Sequence, residues 1–480
     1  MGSRLAVRLA DAGHEVRALS RSARRPLPAG VQGVVVDVGD EAALRRALDG
    51  VDAALYLVHS MAAGEDFASQ DRALATTFAS AAASAGVARI VYLGGLGSGE
   101  LSHHLASRHE VGAALAAGPV PVVELRAAVV LGSGSISFEM LRYLTERLPA
   151  MVCPRWIRTR IQPIAEVDLL AHLERSLDDD VPPGIYEVGG PEVATYHDMI
   201  AAYARVRGLR RRRIIDVPLL TPRLSARWVD LVTPVDRRVS HTLIESLGTE
   251  VVVQDAARTH AVFGIDGHGV DAAIARALAD QAAEIPDRLF DLPAGTDQGV
   301  YAMHERAEVC PADVAAVRRG LRTGGGDLGW YGMAWAWRLR LALGRLFGER
   351  LSLHHPDVVE PGATVDWWTV ARLDDDTIVL ATDRWFCGEA WLGYRLEVPD
   401  EGPPARLVQV GALRSKGVVG FVYWRVLWPI HLFVFEAMAT RRAALGSTAG
   451  RRWAPLIRAG GSGLRRRSRG RRRRARRPPS

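Results

Sequence analysis

Two side chains capable of proton and charge chemistry lie four residues apart in the segment HHLASRHEVGAAL. His104 titrates near neutral pH and could move a proton, whereas Arg108 stays charged and could bind a polar group of a ligand. The segment reads as a helix, and it follows an apolar strand pattern that ends in YLGGLG. The alternative is that both residues lie on a helix surface without any chemical role.

Short apolar strands alternate with helical patterns from residue 14 to about residue 130, for example HEVRALS, VDAALYLV and ARIVYLGG. Strands separated by helices indicate crossover units and a parallel, doubly wound sheet. The chain opens on a helix, because Leu5, Leu9 and Ala12 share one helical face and Gly13 fits a helix stop. A strand is therefore expected before this helix and is not found.

The rest of the sequence divides into regions with different residue patterns. Beyond residue 130, helices and short strands predict a lobe over the carboxyl ends of the sheet, where such a fold binds its ligand. Tryptophan is concentrated further on, in alternating strand patterns followed by one long helix, which predicts an α+β domain. We expect a first domain over 1–262, a connector over 263–299, the α+β domain over 300–445 and a disordered tail over 446–480.

The composition is that of a globular protein, with 48% hydrophobic residues and a formal charge of +7. Residues 451–480 hold 13 arginines and no acidic residue, so the first 450 residues carry 7 − 13 = −6. Lys416 is the only lysine, a bias typical of a GC-rich bacterial genome. The arginine-rich tail could attract nucleic acid or anionic lipid, but no aromatic residue follows Trp453, so specific nucleic-acid recognition is not expected.

Cysteine spacing and hydropathy bear on the compartment. The three cysteines are far apart and show no CxxC spacing, which argues against a disulfide framework or a zinc site and fits a reducing cytoplasm. Residues 417–439 are the most apolar run, interrupted by Arg425, His431 and Glu436. We expect a core-packing helix there. A membrane helix, or a strand end followed by a shorter helix, stays open as an alternative.

The segments MGSRLAVRLADAGHEVRALSRS, VDAALYLVHSM, RIVYLGGLG and RIQPIAEVDLLAHL resemble the atypical, NmrA-like NAD(P)-binding group of the short-chain dehydrogenase/reductase superfamily. Residues 307–442, with GWYGMAWAWRLR and GFVYWRVLWPIHLFVFEAM, resemble the DUF2867 domain that follows such domains in bacteria. The resemblance implies a Rossmann-type sheet, an NADP or NAD cofactor and an oxidoreductase.

The resemblance also implies a glycine-rich turn between a first strand and the first helix, which brings the pyrophosphate onto the helix N-terminus. Gly2 aligns with the last glycine of that turn, and the strand with the first two glycines has no counterpart in this sequence. Our hypothesis is that translation starts about a dozen codons upstream. The sequence as given is then expected to bind a dinucleotide weakly or not at all.

Further cofactor residues follow from the resemblance. Ser20 and Arg21, after the second strand of the family, suit the 2′-phosphate of NADP, whereas an acidic residue there would suit NAD. Asp37 aligns with the adenine contact, although a helix-capping or turn aspartate is the alternative. His59 and Ser60 align with the cofactor edge, and a plain loop is the alternative there.

The catalytic Ser, Tyr and Lys of the superfamily are replaced here. His104 and Arg108 occupy the Tyr and Lys positions, and Gly94 or Gly95 the Ser position. The resemblance therefore leaves two possibilities open: a substituted His/Arg dyad that reduces a bulky apolar substrate, or an NADP(H)-sensing regulatory or scaffold protein without turnover. A membrane-associated protein anchored through 417–439 is a third.

The C-terminal pattern resembles the START/Bet v 1-type helix-grip fold, which holds apolar ligands between a curved sheet and a long helix. Five tryptophans are candidates for lining such a cavity, with a filled core as the alternative: Trp367, Trp368, Trp385, Trp391 and Trp424. Glu389 is an acidic residue in an apolar strand. No metal site is expected, because His354 and His355 are adjacent and would point to opposite faces of a strand.

Overall fold

The computed structural model describes residues 1–21, 27, 30–58, 67–99, 101–153, 155–217, 248–297, 300–323, 341–342, 344–345, 354–384, 387–399 and 404–445. The chain divides into two compact units, Met1–Ala283 and Glu284–Ser480. The predicted tail over 446–480 lies outside the described residues. Each unit is described separately below.

The first unit alternates helices and strands. Its helices are α1 (Gly2–Asp11), α2 (Glu41–Leu48), α3 (Phe67–Ser84), α4 (His103–Ala116), α5 (Ile136–Arg147), α6 (Glu166–Arg175), α7 (Tyr196–Val206), α8 (Ala256–Phe263) and α9 (Val270–Arg288), with a 3-10 turn at Arg155–Arg158. Its strands are β1 (Val16–Ser20), β2 (Val31–Val35), β3 (Ala53–Tyr56), β4 (Arg89–Gly95), β5 (Val122–Ala127), β6 (Val130–Leu131), β7 (Ala150–Cys153), β8 (Arg160–Ile161), β9 (Ile164–Ala165), β10 (Gly184–Val188), β11 (Ala194–Thr195) and β12 (Arg213–Asp216).

The predicted parallel, doubly wound sheet is confirmed. Strands β10, β5, β4 and β3 pair in that order, and all three pairings are parallel. Strands β1 and β2 form a separate parallel pair, with Val16 opposite Val31. No strand among the described residues joins β1 to β3, in keeping with the prediction that the first strand of the family has no counterpart here.

Helix α1 forms as its spacing predicts. Leu5 and Leu9 are buried, and Gly13 adopts φ 93°, a left-handed conformation that glycine reaches without steric cost. Two residues then lead to β1, and α1 packs against β1 and β2.

The segment expected to connect the domains contains an ordered helix instead. Helix α9 spans Val270–Arg288 and includes the division between the two units. Its residues Val270, Ile274 and Ala277 are buried in the core of the first unit. The glycines and aspartates around 263–299 obscured an apolar period of three to four residues that is sufficient for a helix.

The second unit contains a seven-stranded antiparallel sheet in the order β13, β14, β19, β18, β17, β16, β15. The strands are β13 (Gly295–Asp297), β14 (Val300–Glu308), β15 (Thr364–Val365), β16 (Trp368–Leu373), β17 (Thr377–Arg384), β18 (Gly388–Glu397) and β19 (Arg406–Ser415), with 3-10 turns at Leu289–Asp291 and Pro311–Asp313. The helices after α9 are α10 (Val314–Gly320) and α11 (Gly417–Ala443). The expected α+β architecture is confirmed.

Helix α11 packs across one face of this sheet, against β14 and β19. Trp424, Val434 and Met438 are among its buried side chains on that face, whereas Leu289, Val379 and Val410 belong to a core on the opposite face. No helix in the described part of the chain is long and apolar enough to cross a bilayer. The segment 417–439 is therefore one helix that packs on the sheet, as expected.

Candidate functional site

The start of α1 lies beside the end of β3. Among the described residues, a Cβ atom at Gly2 would meet only the Cδ1 atom of Leu57, at 3.9 Å, so they leave room for a close approach to this side of the helix N-terminus. Unpaired backbone N–H groups and the helix dipole favour an anion at such a position. Gly2 is therefore placed where a dinucleotide phosphate could approach the backbone.

A charged pair that the sequence did not suggest stands at the same helix terminus. Arg4 Nη1 donates to Glu166 Oε2 at 2.5 Å and to the carbonyl oxygen of Ser133 at 2.6 Å. Glu166 is the first residue of α6 and is buried. A carboxylate and a guanidinium thus accompany the helix N-terminus. Because 162 residues separate the two side chains, no sequence pattern could have paired them.

The residues assigned to the adenosine side of the cofactor follow β1 and β2. Ser20 ends β1, and Arg21 is exposed and makes no hydrogen bond or ion pair within the described residues. Asp37 lies two residues after β2, where its Oδ1 accepts the N–H of Gly39 at 2.9 Å. Asp37 therefore serves a turn, the alternative noted above, and its other carboxylate oxygen is not used in that bond. His59 and Ser60 lie outside the described residues.

His104 lies in the first turn of α4. Ser102 is the N-cap of this helix, and its Oγ accepts the N–H of Leu105 at 3.4 Å. Burial, together with the positive charge of Arg108, lowers the pKa of His104 to about 4. The imidazole is therefore neutral at physiological pH. A neutral ring can donate a hydrogen bond and polarise a carbonyl group, but it cannot act as a general acid in the way an imidazolium does.

The side chain of Arg108 contacts strand β4 of the sheet. Its Nη2 donates to the carbonyl oxygen of Leu93 in β4, and its guanidinium carbon lies 5.4 Å from the ring centroid of Tyr92. Tyr92 in turn donates its hydroxyl to the carbonyl of Arg108 at 3.0 Å. These contacts bind α4 to β4, so part of the donor capacity of Arg108 is already in use.

The two glycines at the Ser position are required by close packing. A Cβ atom at Gly95 would approach Leu105 Cδ2 to 2.8 Å, and one at Gly94 would approach Glu124 Oε1 to 2.8 Å. Glu124 is buried on β5 and accepts from Arg126 Nε at 2.7 Å. A partly buried ion pair therefore lies next to Gly94, and a Cβ atom there would force the Glu124 carboxylate to shift.

The second unit forms a partly open cavity of about 140 Å³ between the sheet and α11. Four of the five tryptophans proposed as its lining contact it: Trp367, Trp368, Trp391 and Trp424. Trp385 lies outside the described residues. The polar side chains in the lining include Thr382, Arg384 and His431, whose Nδ1 bonds to the carbonyl of Leu427 at 2.8 Å. The cavity wall is otherwise apolar.

Glu389 and His354 form hydrogen bonds with neighbouring charged side chains. Glu389 Oε2 accepts from Arg414 Nη1 at 2.6 Å, and the buried Arg414 guanidinium lies 5.3 Å from the ring centroid of Trp391. His354 donates its backbone N–H to Asp366 at 2.8 Å. Within the described ranges, no group of three His, Cys, Asp or Glu side chains could hold a metal ion.

Two family models match the chain in separate regions. Residues 1–128 match the family described as NAD(P)H-binding, and residues 299–438 match the protein family of unknown function DUF2867. The chain joins an NAD(P)H-binding domain to a DUF2867 domain. This confirms the resemblance drawn from the sequence, including the NAD(P) cofactor. No curated protein matches the chain at a significant level.

Several solved structures are similar to the first unit. The Bordetella bronchiseptica enzyme WbmH, in complex with NAD+, is 17% identical with a TM-score of 0.44, over 58% of this chain and 93% of its own. An NADPH-dependent quinone oxidoreductase from Escherichia coli is 18% identical with a TM-score of 0.47, over 57% and 95%. A nucleoside-diphosphate-sugar epimerase from Staphylococcus aureus is 13% identical with a TM-score of 0.47, over 57% and 95%.

Proposed function

We propose that this protein is an NAD(P)H-dependent reductase that uses NADPH in preference to NADH. The observation that carries the proposal is the match of residues 1–128 to an NAD(P)H-binding domain, in which Gly2 begins α1, Ser20 ends β1 and the exposed Arg21 follows directly. Gly2 would face the pyrophosphate, and the exposed guanidinium of Arg21 would bind the 2′-phosphate of NADPH.

Bound NAD(P)H supplies a hydride. The residue that we propose to act on the acceptor is His104, whose neutral imidazole would donate a hydrogen bond to a carbonyl oxygen and so polarise it. Arg108 would position this residue by holding α4 against β4 through the Leu93 carbonyl. After hydride addition to the carbonyl carbon, solvent water would supply the proton that the resulting alkoxide takes up. Such a site would work without the Tyr and Lys of the superfamily and without an imidazolium at neutral pH.

The ligand that we propose for the second unit is a small apolar molecule with a single aromatic ring. The cavity volume of about 140 Å³ supports this size, because an apolar cavity of about 150 Å³ holds benzene. The bulky substrate expected from the sequence would need a larger space, in the range of roughly 300 to 1,000 Å³ found for drug-sized ligands. Thr382 or Arg384 could bind one polar group of the ligand.

A non-catalytic NADP(H)-sensing protein is the second candidate. It is favoured by the contacts of Arg108, because a guanidinium bonded to the Leu93 carbonyl is not an evident substitute for a lysine that binds ribose. Under this proposal the neutral His104 would have no part in turnover.

Binding and turnover, measured separately on the full chain, distinguish the two candidates. Saturable quenching of tryptophan fluorescence by NADPH, together with NADPH oxidation in the presence of single-ring aromatic aldehydes or quinones, would support the reductase. His104→Ala should then reduce turnover about 100-fold or more while NADPH binding persists, and His103→Ala, an exposed neighbour, should not. Binding without oxidation would favour the sensor, and unchanged turnover in His104→Ala would exclude its proposed role.

A further inference from the structure

Helix α11 carries an apolar face that no described element covers. Six large apolar side chains on this helix are at least 40% exposed. Leu432 is one of them, and the other five follow one another at spacings of three, four, four and three residues: Val419, Val422, Val426, Ile430 and Phe433. Such spacing places them on one side of the helix. At about 1.5 Å per residue the face is roughly 21 Å long. We call these five residues the outer face of α11.

The opposite side of the same helix is already packed. Trp424, Val434 and Met438 are buried against the sheet, and none of the five residues of the outer face belongs to that core. Ile430, at the edge of the outer face, also lines the pocket between the helix and the sheet. A helix that packs on a sheet and faces water normally carries polar residues on its outer side. Contiguous exposed apolar surface of this kind marks an interaction site for a protein or a membrane.

The charges near the outer face indicate which of these partners it fits. Arg425 is exposed next to Val426, and Lys416 immediately precedes the helix. Soon after α11 ends at Ala443, residues 451–480 contain 13 arginines and no acidic residue, although the first 450 residues carry a net charge of −6. Along the sequence, the positive charge of the chain is thus concentrated after the helix that carries the apolar face. That combination complements an anionic lipid surface, which attracts basic segments and accepts apolar side chains between its headgroups.

We propose that the outer face of α11 docks on the surface of an anionic bilayer, with the arginine-rich segment as a second, electrostatic point of attachment. The helix lies in the interface and does not cross it: Arg425 and Glu436 border the outer face, and the inner side of α11 remains packed on the sheet. Two weak signals of this kind together give stable peripheral binding where either alone is marginal. This attachment is independent of NAD(P)H binding.

Vesicle co-sedimentation of the full chain tests the proposal. The protein should sediment with vesicles of phosphatidylcholine and phosphatidylglycerol at low salt, and at least about tenfold less with phosphatidylcholine alone. Val426→Glu combined with Phe433→Glu should reduce binding to the anionic vesicles at least about tenfold. The matched control is Val358→Glu in the same unit, since Val358 and Val426 are both 66% exposed. This control should bind as the unchanged protein does.

A second variant isolates the electrostatic attachment. Replacing Arg471, Arg472, Arg473 and Arg474 by Gln should weaken vesicle binding and reduce its dependence on salt, while NADPH binding and the thermal midpoint stay unchanged. Equal binding of the outer-face variant and the Val358 control would overturn the proposal, as would failure of the unchanged protein to sediment. A dimer in light scattering that the outer-face variant dissociates, without any vesicle binding, would overturn it in favour of a second copy of this chain.

Discussion

His104 shows how burial and a neighbouring charge change the chemistry that a residue type predicts. As a histidine it was expected to titrate near neutrality and move a proton, but burial and Arg108 lower its pKa to about 4. What remains at neutral pH is a hydrogen-bond donor. The same shift links this residue to the pH dependence of stability.

The folded state should lose stability as the pH falls from about 6.5 to about 4, because the unfolded chain protonates His104 in this range and the folded chain does not. The full shift corresponds to roughly 3 kcal/mol. Urea unfolding at pH 7.0 and 4.5 should therefore show a smaller loss of stability in His104→Gln than in the unchanged protein. Equal losses in the two proteins would mean that His104 is protonated in the folded state.

Arg21 should determine the choice between NADPH and NADH. Its exposed guanidinium at the end of β1 is free of ion pairs within the described residues, so it can bind a 2′-phosphate without breaking an existing contact. Arg21→Ala should weaken NADPH binding about tenfold or more, given the strength of charge-assisted hydrogen bonds, and leave NADH binding unchanged. The control is Arg46→Ala, which removes the same charge from the exposed side of α2. Equal effects on both cofactors would refute this role.

At the scale of elements, the pairing of α1 with α6 decides how the helix N-terminus meets an anion. Glu166 brings a negative charge to the turn that should receive the pyrophosphate, and it binds Arg4 there. Glu166→Gln should therefore tighten NADPH binding about two- to fivefold, the size of a helix-terminus charge effect. Glu174→Gln is the control, because Glu174 pairs with Arg8 further along the same two helices, at 2.5 Å. Weaker binding in Glu166→Gln would show that Glu166 supports the turn instead.

The contact between β19 and α11 depends on a glycine. A Cβ atom at Gly411 would overlap the ring of Phe435, so the helix lies closer to the sheet there than a side chain would allow. Gly411→Ala should destabilise the second unit by about 1–3 kcal/mol in denaturant unfolding, the usual cost of overpacking. The smaller side chain of Phe435→Leu should restore part of the loss when combined with it. A Gly411→Ala variant as stable as the unchanged protein would contradict the close approach.

At the scale of the whole molecule, the two compact units should respond to different ligands. Cofactor at about a hundred times its Kd should stabilise the first unit by roughly 2.7 kcal/mol, because a ligand that binds only the folded state shifts the unfolding equilibrium. Calorimetry should show one transition that moves with NADPH and another that moves with a single-ring aromatic ligand. A single transition that shifts as a whole with NADPH would contradict the independence of the units.

The sequence by itself determined the elements of this protein and the kind of each domain. Leu5, Leu9 and Gly13 predicted α1 and its end, the alternation of strands and helices predicted the parallel sheet, and residues 417–439 predicted the long helix, because these signals are local periodicities and turn conformations. The apolar period of α9 was not recognised within the predicted connector.

What the tertiary structure alone decided is the state of the side chains. The Arg4–Glu166 pair joins residues 162 positions apart, and the lowered pKa of His104 arises from burial that its neighbours in sequence do not specify. The same holds for the outer face of α11. An apolar residue on a helix can be buried or exposed, and only the packing of the helix on the sheet decides which side is buried. Periodicity is a local property and can be read from the sequence, whereas burial, charge pairing and exposure depend on which distant segments pack together.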